Sequence, residues 1–121
     1  MGVTTKPIGK QSVIVVDCAG MSKEQSAQVA AILQEASAQV AKNPKKSVHI
    51  ITNVTDVKFD NTISGAFKAY ASANTPYVKE SVIVGLGGMQ TVIFSAIKAM
   101  TGRDFQLVKT MAEAESYMAS V

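Results

Sequence analysis

Gly85-Leu86-Gly87-Gly88 follows a run of valine and isoleucine and opens a helical pattern. Backbone N–H groups at such a junction can hold a phosphate or carboxylate. Gly85, Gly87 and Gly88 are therefore the candidate ligand-binding residues. The spacing departs from G-x-G-x-x-G at Gln90, and no Walker lysine follows. A tight strand-to-helix turn, needing glycine for its backbone angles and for close packing, accounts for the same residues without a ligand. Asp17, Asp56 and Asp60 are the acids that follow strand-like runs. A metal-dependent phosphoacceptor would need adjacent acids after the first strand and a lysine after a later one. Only Asp17 stands at the first position, and Gly85-Leu86 fills the later one. These aspartates suit turns and helix caps. His49 is the only histidine and Cys18 the only cysteine. One imidazole makes neither a zinc site nor a triad, and a thiol with no imidazole partner keeps a high pKa. No catalytic pair, metal site or cofactor is expected, and the role read from these residues is non-enzymatic.

The chain has 121 residues, which suits a single domain. Twelve Lys+Arg against nine Asp+Glu give a formal charge of +3. The lysines are scattered, with only Lys42, Lys45 and Lys46 clustered, and there is no tryptophan. A basic stripe interleaved with aromatics is missing, so nucleic acid is not an expected partner. Residues 1–10 lack the apolar core of a signal peptide, and no apolar run has the length of a membrane span. The expected setting is the reducing cytoplasm, with no stable membrane insertion.

The elements that must position these residues alternate regularly. Ser12–Cys18 reads as a buried strand, and Ser22 with Gln25 forms a capping box that opens a helix. Val29, Ile32, Leu33, Ala36 and Val40 mark its core stripe, and Asn43-Pro44 ends it. Ser47–Val54 is the second strand. Asp60–Ala73 is the second helix, with Ile63, Phe67 and Tyr70 on one face and Asp60, Asn61 or Thr62 as its cap. Ser81–Gly85 is the third strand, followed by a helix from about Met89 to Met100. Phe105–Val108 is a short fourth strand, and Thr110 with Glu113 caps a final helix to about Ser120. The Met89–Met100 stripe would suit an apolar ligand, but its helical spacing is equally that of ordinary core. Four β-then-α units imply a mainly parallel sheet covered by helices, with right-handed crossovers. Residues 1–11 read equally as a tail or as an added edge strand, with residues 12–121 forming the domain. Sheet edges need cover, so a homodimer is expected unless residues 1–11 supply it.

The segments Val13–Gly20 (VIVVDCAG), Ser47–Asp60 (SVHIITNVTDVKFD), Pro76–Met89 (PYVKESVIVGLGGM) and Thr101–Ala112 (TGRDFQLVKTMA) resemble the SpoIIAA-like branch of the STAS and CRAL-TRIO-type superfamily. The resemblance covers about residues 12–120 and implies a bacterial four-unit β/α superhelix. Leu107-Val108 stands where members often carry an aromatic, which reads as a core substitution. Anti-anti-sigma STAS proteins place a regulatory serine at the start of the helix after the second strand. Here that stretch is Phe59–Gly65, and the resemblance points to Thr62 and Ser64 as phosphorylation sites, although the Asp-Ser pair itself is missing. A phosphate there would meet the positive end of a helix and add nearly two negative charges to a partner surface. The expected function is protein interaction or ligand sensing. The alternative is a small carrier of an apolar or anionic metabolite beside Gly85–Gly88.

Overall fold

A computed structural model describes residues 2–87, Ser95, Lys98 and residues 105–121. The strands are β1 (Gly2–Ile8), β2 (Gln11–Asp17), β3 (Val48–Asn53), β4 (Val78–Val84) and β5 (Gln106–Val108). The described helices are α1 (Ser26–Val40), preceded by a 3₁₀ turn at Lys23–Gln25, then α2 (Asn61–Asn74) and α3 (Met111–Ser120). The expected helix at Met89–Met100 lies outside the described residues, except for Ser95 and Lys98, which are helical. No described helix is long and apolar enough to cross a membrane.

The five strands form one sheet in chain order. β2 through β5 are parallel neighbours, and β1 runs antiparallel along β2. Residues 2–8 are thus an edge strand. Ile8 and Gln11 pair across a two-residue turn, which Gly9 opens at φ +59°. Glycine is the residue that a two-residue hairpin turn of this hand accepts first. Pro7 is tolerated because an edge strand leaves one row of N–H groups unused.

Strand side chains alternate between two apolar layers, as a sheet covered on both faces requires. Ile14, Val16, Val48, Ile50 and Ile83 pack with Val29, Leu33, Ala36 and Val40 of α1 and with Ile63, Phe67 and Tyr70 of α2. Val13, Ile51, Val82 and Val84 pack with Ile8 and with Ala114 and Met118 of α3. Thr52 and Tyr70 are buried on the α1/α2 side, where their hydroxyls share a 2.9 Å hydrogen bond.

One numerical regularity ties the first two units together. β2 lies on β3 with a step of 36 residues, Val13 opposite His49 through Asp17 opposite Asn53. The shallow groove between α1 and α2 repeats that step: Ala30 with Ala66, Leu33 with Ala69, Gln34 with Tyr70, and Ser37 with Ala73. The groove is thus lined by residues 30–37 of α1 and 66–73 of α2, so the two helices lie level along it.

Several sequence expectations shift at element boundaries. Ser22 does not cap α1: its hydroxyl bonds Glu24 at 2.6 Å. Its N–H reaches the Gln25 side chain at 3.3 Å, while Gln25, the N-cap residue, has no side-chain cap bond. The chain therefore makes a 3₁₀ turn before the α-helix begins. α1 ends at Val40 rather than Asn43, because the Asn43 amide caps the Gln39 carbonyl at 3.0 Å. β4 starts at Val78, three residues before the apolar run, since Val48 pairs with Val78 ahead of a bulge that brings Glu80 opposite His49. Phe105 is buried but precedes β5. Leu107 is not a core residue. It is 45% exposed, on the edge strand of the sheet.

Candidate functional site

β2, β3 and β4 end together at one edge of the sheet, and the loops that follow them are stitched by backbone hydrogen bonds. Cys18 donates to the Asn53 carbonyl at 3.0 Å, Gly20 to Thr55 at 2.8 Å, and Lys58 to Met21 at 2.8 Å. Val54 donates to Val84 at 2.9 Å and Gly85 to Val108 at 2.9 Å. Asp17, Asp56 and Gly85 accordingly gather at this edge, where ligands of open α/β sheets bind.

The local chemistry of each loop explains its shape. The Asn53 side chain accepts from the Thr55 N–H at 3.1 Å and from its hydroxyl at 2.7 Å. This turn about an asparagine side chain lets Asp56 follow at φ +58°, a conformation asparagine and aspartate tolerate best. Asp17 is also used internally, accepting from the Ala19 N–H at 3.0 Å. Asp60 is the cap of α2: its carboxylate accepts from the Ile63 N–H at 2.8 Å, and its carbonyl from the Ser64 N–H at 2.9 Å. Phe59 lies against Phe67 with ring centroids 5.4 Å apart, anchoring the loop to the core.

The two acids that approach the buried edge therefore hold backbone in place. Cys18 is fully buried, and loss of solvent, followed by the adjacent Asp17 charge, pushes its thiol up to about 12. A thiol so held stays protonated at neutral pH and is a poor nucleophile. Among the described residues no group of three His, Cys, Asp or Glu side chains could hold a metal ion.

The sequence-derived candidates fall in two places. Thr62 is exposed and Ser64 half-buried, both in the first turn of α2 beside the loop cluster. Gly85 sits at φ +86°, and a Cβ there would overlap the Thr55 side chain and come within 2.7 Å of the Thr55 Cα. Close backbone approach accounts for this glycine. Gly87 is exposed, and Gly88 lies outside the described residues. Asn53 and Thr55 are the residues that sequence reading missed. Their signal was present as an asparagine two positions before a threonine at a strand end, the spacing of a side-chain-closed turn.

Two grooves lie away from this edge. The one between α1 and α2 holds about 270 Å³. A more polar one of about 660 Å³ opens at the opposite edge, lined by Gln11, Ser12, Gln39, Lys42 and neighbouring residues.

No protein-family model matches the chain, and no curated protein matches it. Among solved structures it is similar to an uncharacterized protein of the DUF3478 family from Shewanella loihica PV-4, described as having a SpoIIAA-like fold. The identity is 14% and the TM-score 0.65, over 96% of this chain and 91% of that one. The likeness shows the fold: a mixed α/β, SpoIIAA-like arrangement with a mostly parallel sheet.

Proposed function

We propose that this SpoIIAA-like fold serves a non-catalytic interaction module, whose partner-facing surface is the loop cluster centred on Phe59–Gly65. The observation that supports this reading is the cross-linking of loops from neighbouring strands by Gly20–Thr55 and Lys58–Met21 backbone bonds. A surface held by its own backbone is rigid before it binds, which lowers the ordering cost of association. The carboxylates of Asp17 and Asp60 are spent on that scaffold, whereas Asp56, Lys58, Asn61 and Thr62 stand exposed on the outside. A phosphate on Thr62 or Ser64 would place negative charge at the N-terminus of α2 and in the middle of this surface, the arrangement by which a modification switches a partner contact.

Native mass spectrometry of protein purified from its own host, repeated with Thr62→Asp and Ser64→Asp, tests the reading. The expected result is a co-purifying protein whose recovery changes in these variants while the circular dichroism spectrum does not. A retained small molecule in place of a protein establishes the carrier role instead. Partner recovery identical in wild type and both variants removes this loop from the interaction.

A further inference from the structure

The layer formed by α1 and α2 presents an outer face nearly devoid of charge. α1 carries one charged residue, Glu35, and α2 carries one, Lys68; both are exposed. Between them lie exposed alanines, among them Ala31, Ala69 and Ala73, and the shallow groove floored by Leu33 and Tyr70. Alanine loses no rotamer freedom when covered, so such a face associates at little entropic cost.

The position of the two charges identifies the occupant. With about 100° between successive residues of a helix, Glu35 lies on the flank of α1 turned away from α2, because Ala30, Gln34 and Ser37 line the groove on the other flank. By the same rule Lys68 lies on the flank of α2 turned away from α1. The 36-residue step that makes the helices level puts Glu35 at the height of Ala71. Lys68 is three residues earlier, which is about 4.5 Å along the axis.

We propose that this face binds a second copy of the chain about a two-fold axis running along the α1/α2 groove. Rotation about that axis lays α1 of one protomer on α2 of its partner and preserves height. It also brings both outer flanks to the same rim, so that Glu35 of each protomer meets Lys68 of the other within side-chain reach. The charges close the two rims of an apolar, small-residue centre, and the two Gln34 side chains meet near the axis. The surface is complementary to itself, as an isologous interface must be. The exposed ion pairs contribute register and specificity more than affinity. This assignment is independent of the loop surface proposed above, which lies at the sheet edge.

Sedimentation velocity on the full chain up to high micromolar concentration, with circular dichroism as the control for folding, tests it. Wild type should show a monomer–dimer equilibrium. Ala69→Glu should raise the dissociation constant by at least about tenfold, because a charge without a partner is placed in the covered centre. Glu35→Lys and Lys68→Glu should each weaken the dimer, and the double exchange should restore it. A monomer at every concentration overturns the proposal. So does a dimer indifferent to Ala69→Glu, and so does a double exchange no stronger than either single one.

Discussion

Two buried side chains carry consequences that differ in kind. The Cys18 thiol is raised from 9.0 to about 12, first by burial and then by Asp17. Its neutral form is favoured in the folded state, so the associated stability is complete below about pH 9 and is lost as pH rises toward 12. Urea denaturation should therefore show stability falling over that alkaline window, and Cys18→Ala should flatten the slope. A thiol reagent at pH 8 should label native protein only through its unfolding. Asn74 presents the opposite situation. It is 1% exposed, and neither its amide nitrogen nor its amide oxygen has a hydrogen-bond partner. An unsatisfied buried amide costs about 1–3 kcal/mol. Asn74→Leu, which keeps the branching at Cγ without the amide, is expected to recover part of that cost, read as a higher midpoint in denaturant at unchanged slope.

At the scale of elements, the caps decide which residues are spent on architecture. Asp60→Ala should cost about 1 kcal/mol, because the Ile63 N–H loses its acceptor. Thr62→Ala, two positions along and exposed, should stay within about 0.5 kcal/mol; thermal melts of the pair separate the two. The sequence left Asp60, Asn61 and Thr62 as alternative caps because all three residue types can accept a first-turn N–H, and only backbone geometry selects among them. Thr110 was legible for the same chemistry: its hydroxyl accepts from the Glu113 N–H at 3.2 Å. Continuous apolar runs located β2 and β3 to within a residue. They missed the start of β4 because Val78-Lys79-Glu80 lies where the sheet is half-exposed, so its hydrophobic signal is diluted by solvent-facing side chains. The loop cluster was legible as a set of strand ends. Its internal wiring was legible only in part: the Asn53–Thr55 turn is local and carries its own spacing, whereas the approach of Gly85 to Thr55 joins segments 30 residues apart in sequence.

For the molecule as a whole, β1 settles what becomes of one sheet edge. It covers β2 along its full length and ends in Pro7-Ile8. Removing residues 2–10 would leave β2, a run of valine and isoleucine, as an open edge. The shortened chain should aggregate in a concentration-dependent way, seen as rising light scattering at temperatures where the intact chain stays clear. The same hairpin is fastened at its other side by the last residues of the chain. A Cβ on Gly9 would come within 3.1 Å of the Ala119 backbone, Lys6 pairs with Glu115 at 2.8 Å, and the Gln11 amide donates to the Val121 carbonyl at 2.7 Å. These contacts impose an order on synthesis at the ribosome. Among the described residues, strands β1 to β4 emerge together with α1 and α2 of one face, while Ala114 and Met118, which pack on the other, come later. A nascent chain stalled before Met111 should bind a hydrophobic dye beside Val13, Ile51 and Val82, and addition of residues 111–121 should lower the signal as the first strand and the last described helix lock together.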